Sequence, residues 1–74
     1  MAPLRPLPFR EVKRRLETTG FEVVSQKGSH VKFAKRTMGG LLTAIVPMKR
    51  EIPVGTLRSI LHQAHIEPDE FLSL

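Results

Sequence analysis

The residues of this chain best suited to chemistry lie together in Lys27-Gly28-Ser29-His30-Val31-Lys32-Phe33. An imidazole accepts and releases a proton near neutral pH because its ordinary pKa is about 6.5. Ammonium groups beside it stabilise negative charge as it develops in a transition state. A histidine between two lysines therefore suits proton transfer at an anionic centre, with His30 as acid/base and Lys27 and Lys32 as electrostatic support. The same pattern also fits a surface histidine on a strand, or one that contacts phosphate without catalysis. Ser29 can donate a hydrogen bond to phosphate or simply suit a turn, and Gly28 reads as a backbone requirement of that turn.

Two strands must flank the turn. Phe21 to Lys27 is rich in β-branched and aromatic residues, with apolar positions 21 and 23 alternating with Glu22. Beyond Gly28-Ser29, Val31 and Phe33 alternate with His30, Lys32 and Ala34. With Val31 and Phe33 toward the core, His30 and Lys32 face away from it. Lys35 to Gly40 reads as a polar connector, and Leu41 to Val46 as a third strand ended by Pro47, which cannot donate to a ladder. Short links make the strands an antiparallel meander.

Helices bracket them. Met1 to Pro8 holds Pro3, Pro6 and Pro8 and reads as an extended arm before a single domain over residues 9–74. A helix from about Pro8 to Thr18 puts Phe9, Val12 and Leu16 on one face and Arg10, Lys13, Arg14 and Glu17 on the other, and Gly20 ends it. After a loop carrying Lys49, Arg50 and Glu51, a second helix starts around Pro53 with Leu57, Ile60, Leu61 and Ala64 on its apolar face. Arg58, Ser59, His62 and Gln63 lie toward solvent. Pro68 to Leu72 predicts a last helical turn with Phe71 folded onto the core. The fold class is thus α+β: an αβββα two-layer arrangement, with both helices on one face of a three-stranded antiparallel sheet, like a double-stranded-RNA-binding domain.

Charge narrows the partners. Residues 1–66 carry all 12 Lys and Arg but only 4 of the 7 acids, the rest being Glu67, Asp69 and Glu70. A basic body with an acidic tail attracts polyanions, so RNA, DNA or an acidic protein are the partners to consider. With no cysteine there is no disulfide and no thiolate metal site, which fits a reducing cytosol. His62 and His65 are too few for a zinc site, so no metal or other cofactor is expected. The apolar runs fall far short of the roughly 20 residues that span a bilayer.

An ordered set of motifs resembles one family. Gly20-Phe21 after the first helix, Gly28-Ser29-His30 entering the second strand, Val46-Pro47 ending the third, and Glu51-Ile52-Pro53-Val54-Gly55-Thr56-Leu57-Arg58-Ser59-Ile60-Leu61 opening the second helix are similar to HicA toxins along roughly residues 9 to 72. HicA-like proteins are small mRNA interferases of toxin–antitoxin pairs with a fold related to double-stranded-RNA-binding domains. The resemblance implies that His30 is catalytic and that a HicB-type antitoxin covers its site. It implies single-stranded mRNA as substrate and a cytoplasmic protein. Many HicA-like chains have a histidine shortly after this Val-Pro, whereas Met48-Lys49-Arg50 follows here; if that histidine assists catalysis in the family, either Lys49 substitutes for it electrostatically or the activity is weaker.

Metal-free cleavage of RNA needs a base for the ribose 2′-OH, an acid for the departing 5′-oxygen and cations near phosphorus. His30 and the lysines meet part of that list, and no second acid or base stands out. Lys49, Arg50 and Arg58 are candidates for RNA contact, because their loop and helix start beside the end of the third strand. Arg10, Lys13, Arg14 and Arg15 could form a phosphate-binding strip or a solvated face supported by Glu11 and Glu17. The expected function is a metal-independent endoribonuclease toxin. A non-catalytic RNA-binding module and a basic domain that docks an acidic protein are the competing readings.

Overall fold

The helical spacing of Val12 and Leu16 and the alternation of Val31 and Phe33 meet in one core in the computed structural model, which describes residues 3–74. The order is α1 (Phe9–Thr18), β1 (Glu22–Lys27), β2 (His30–Thr37), β3 (Gly40–Pro47), α2 (Val54–Ala64) and α3 (Pro68–Leu72). The three strands form an antiparallel sheet in the order β1-β2-β3. Val12 and Leu16 from α1, and Leu57, Ile60, Leu61 and Ala64 from α2, pack with Val31, Phe33, Ala44 and Val46 of the sheet. Phe21, Phe33 and Phe71 are almost wholly enclosed there, each burial contributing roughly 1.5–3 kcal/mol. The other sheet face carries His30, Lys32 and Arg36 together with the exposed Leu41 and Ile45. The architecture is the expected αβββα two-layer fold.

Both long helices end in the same way. After α1, the N–H of Gly20 donates to Glu17 O at 3.0 Å and that of Phe21 to Leu16 O at 3.0 Å. Gly20 has φ +102, which costs a residue without Cβ nothing. After α2, Ile66 N donates to Leu61 O at 3.0 Å, and the residue in the left-handed conformation is His65, at φ 56 and ψ 43.

The N-terminal segment is extended but attached. Leu7 and Ile52 exchange backbone hydrogen bonds of 3.2 and 2.7 Å, and Leu4 is buried in the core cluster. Met1 and Ala2 of the expected arm lie outside the described residues.

Three local expectations are corrected. The polar connector at 35–40 shrinks to the Met38-Gly39 turn, because Lys35, Arg36 and Thr37 continue β2 and pair with Leu42, Leu41 and Gly40. Pro47 lies within β3, opposite His30. Antiparallel pairs alternate between bonded and non-bonded. With Thr37 and Gly40 closing the hairpin, the alternation makes His30–Pro47 a non-bonded pair, at which no donor is needed. In β1, Val23 lies opposite Phe33 and so shares the core face, yet it is 43% exposed because the strand is at the sheet edge. The register shifts between Val23 and Ser25, so Val24 is a bulge residue that re-aims the strand, and β1 is an edge whose six residues are all exposed. Ala34 shares the parity of His30 and Lys32 yet is buried, since a methyl on the central strand is covered by its longer neighbours.

Candidate functional site

A two-residue turn decides what surrounds His30. Gly28, the first residue between Lys27 and His30, has φ +59, the conformation that a hairpin turn with glycine first requires. The turn makes Lys27 the cross-strand partner of His30 on β1, while Pro47 is its partner on β3. Two residues along, Lys32 is flanked by Ser25 on β1 and Ile45 on β3. Directly opposed side chains share a sheet face with Cβ atoms about 4.5–5.5 Å apart. The result is two rows, Lys27–His30–Pro47 and Ser25–Lys32–Ile45, on the face away from the helices. Ser25, Lys27, His30, Lys32 and Ile45 line an open cleft of about 550 Å³ there.

The cleft is cationic and water-accessible. His30, Lys27 and Lys32 are all exposed and none has an acidic partner among the described residues. It can therefore accept an anion against two ammonium groups, with an imidazole within the same patch. Ser25 supplies a hydroxyl and Ile45, 41% exposed, an apolar surface. Neither stood out in the sequence. Counting the register outward from the two hairpin turns finds Ile45, while the bulge in β1 hides Ser25 from that count.

The remaining candidates lie around or away from this cleft. The carbonyl of Ser29 accepts the Met48 N–H at 2.7 Å, which ties the β1–β2 turn to the loop after β3. Lys49 and Arg50 follow directly and are exposed, and the Lys49 carbonyl accepts the Phe9 N–H at 2.9 Å. They rim the turn end of the cleft without lining it. Arg58 is elsewhere. It lines a second cleft of about 450 Å³ with His62, His65 and Glu67, over Leu61, Ile66 and Pro68. At 100° per residue, Ser59 and Gln63 lie on one flank of α2 and Arg58, His62 and His65 on the other. Gln63 Oε1 accepts the Ile45 N–H at 3.1 Å, so the first flank faces β3 and the second faces away from it. Among the described residues no group of three or more His, Asp or Glu side chains is placed to hold a metal ion.

The basic strip on α1 is mostly spent on its own acids. Lys13 pairs with Glu17 at 3.0 Å, Arg14 with Glu11 at 2.8 Å, and Arg15 Nε lies 3.4 Å from Glu11 Oε1. The hydrogen bond from Arg14, helped by the charges of Arg14 and Arg15, holds the Glu11 carboxyl below its usual range. Arg15 Nε and Nη1 have no hydrogen-bond partner, and the guanidinium sits 5.2 Å from the Phe71 ring centroid. Of the four, Arg10 alone has no acidic partner among the described residues.

Among the described residues no helix is long and apolar enough to cross a membrane. No curated protein matches the chain. The family described as "HicA toxin of bacterial toxin-antitoxin" matches residues 9–66, a span running from the start of α1 through the last turn of α2 and containing both the Gly28-Ser29-His30 turn and the Val46-Pro47 segment opposite it. With the matched span covering most of the fold and the whole His30 cleft, the chain belongs to the HicA toxin family.

Proposed function

We propose that this toxin is a metal-independent endoribonuclease of single-stranded messenger RNA, with His30 as general acid/base, acting in the cytoplasm and held in check by a HicB-type antitoxin. One observation carries the reading: the register places His30 beside Lys27, with Lys32 two residues along the same face, on an open sheet surface. In the proposed reaction His30 takes the proton of a ribose 2′-OH as that oxygen bonds to phosphorus. The bond from phosphorus to the 5′-oxygen breaks, and that oxygen takes up the proton that His30 carries, leaving a 2′,3′-cyclic phosphate, a 5′-OH and a neutral imidazole. Lys27 and Lys32 stabilise the charge gathering on the phosphoryl oxygens. Lys49 and Arg50 extend the cationic surface along the strand of RNA, and Ser29 belongs to the same turn. Arg58, on the far flank of α2, leaves this role.

Recognition in this reading is of phosphates and 2′-OH groups rather than bases. The chain has no Tyr or Trp, three of its four Phe are buried, and Phe9 packs against Phe33 at 6.3 Å between ring centroids. No aromatic ring is offered for base stacking.

The purified protein should cleave a synthetic single-stranded RNA in EDTA, and the same RNA with 2′-deoxy sugars should survive. His30→Ala should lose the activity, and its expression should no longer arrest growth. Equal cleavage by both proteins would remove His30 from the mechanism. Because His30 is the sole imidazole in the cleft, a non-catalytic RNA-binding module is the second reading, and salt-sensitive binding without cleavage would establish it.

A further inference from the structure

The two edges of the sheet are finished differently. On β3, α2 lies alongside, and Gln63 caps the outward N–H of Ile45 at 3.1 Å. On β1 no other element pairs with the outer side among the described residues: its six residues are exposed, and beyond the ladder to β2 no backbone group from 22 to 27 has a backbone partner. Lys27 and His30 close a two-residue turn and form a bonded pair, so the next residue, Gln26, directs its N–H and C=O outward. The alternation along β2 gives Val23, opposite Phe33, the same orientation. Val23 and Val24, 43% and 54% exposed, add an apolar patch to this open ladder. Exposed edges of this kind are templates for another strand.

We propose that the outer edge of β1 is a docking edge for an extended acidic segment of a partner protein, which adds as a fourth strand next to the His30 cleft. The proposal rests on the toxin–antitoxin reading, and the segment belongs to the antitoxin. Charge selects an acidic occupant. Of the charged residues on β1 and β2, Lys27, Lys32, Lys35 and Arg36 stand against Glu22, and the chain carries +5 overall. A second copy of the chain would bring like-charged bodies together. Main-chain hydrogen bonds to Val23 and Gln26 supply affinity, and alternate side chains supply specificity. Ser25 and Lys27 belong both to this edge and to the cleft lining. An acidic side chain reaching Lys27 from the added strand sits beside His30, so docking and closure of the cleft are a single event.

The test is amide hydrogen exchange on the toxin alone and in complex with the antitoxin that neutralises it. Exchange at Val23 and Gln26 should slow by roughly tenfold or more on binding, while Ile45, already bonded to Gln63, changes little. Gln26→Pro removes an outward donor at an edge position that tolerates proline. It should still arrest growth but escape neutralisation, whereas Gln26→Ala, which keeps the N–H, remains neutralised. A neutralised complex in which Val23 and Gln26 exchange as fast as in the free toxin overturns the docking edge and leaves the toxin–antitoxin reading intact. Failure of any antitoxin to relieve the toxicity overturns that reading itself. Protection that appears in the toxin alone and rises with its concentration assigns the edge to self-association and also overturns the proposal.

Discussion

Two clefts among the described residues hold histidine and a basic side chain, and they are built on opposite principles. The His30 cleft takes its five lining residues from three strands, with two lysines and no acid. The Arg58 cleft takes His62 from α2 and His65 from the residue just past its end, with Glu67 among its lining residues and the carbonyl end of α2 nearby. Helix C-termini favour cations, so an anion entering the second cleft meets repulsion as well as Arg58. The comparison shows that a histidine near a cation is not by itself a site. The neighbours contributed by the fold decide which sign of charge a cleft will hold.

The sharpest way to break the comparison is to remove the imidazoles in turn. His30→Ala should lower RNA cleavage by about 10²–10⁴-fold, the usual contribution of general acid–base catalysis. His62→Ala should leave the rate within about twofold, measured on the same RNA. A large loss at His62 would move the chemistry to the helix end. Next come the cations. Lys27→Ala and Lys32→Ala should each cost roughly tenfold, since exposed charges are partly screened, and Arg58→Ala should cost little. Each lysine that contacts a phosphate should also lower the slope of log affinity against log salt by about 0.7.

Smaller effects test the scaffold of the second cleft. His65 holds a left-handed conformation at φ 56 in the position that Gly20 fills after α1. His65→Gly should therefore raise stability by about 0.5–1 kcal/mol in denaturant unfolding, without altering cleavage. A loss of stability would mean that the imidazole makes a contact worth more than the backbone relief. The smallest effect concerns α1. The Glu11 carboxyl is held below its usual range when folded, so its contribution to stability is present above the unfolded pKa and lost as pH falls through the folded value. Glu11→Gln should lower Tm slightly at neutral pH, and the difference from wild type should vanish in acid.

Much of this arrangement was legible in the residue pattern. Val31 and Phe33 in alternation placed His30 and Lys32 on the open face, and Leu57, Ile60, Leu61 and Ala64 marked the buried side of α2. The failures share a cause. Period 2 continued from Val23 puts Ser25 and Lys27 on the core face, and the bulge at Val24, which a run of β-branched residues does not announce, turns both to the face of His30. Pro47 was read as a stop because its missing donor counts only where the ladder needs one, and that depends on register. Arg58 was grouped with Lys49 and Arg50 by closeness in the chain, whereas the rotation of α2 about its axis carries it to the other flank.

Local periodicity and turn chemistry thus determined the elements, the core face of each and the parity of His30, because these depend on spacing within a few residues. Which residues stand across from His30, that Ile45 and Ser25 join its cleft, and that β1 keeps a free edge while Gln63 closes β3 were decided only by the tertiary structure. Those features depend on how strands register and how a helix docks, and both are set by packing between residues far apart in the chain.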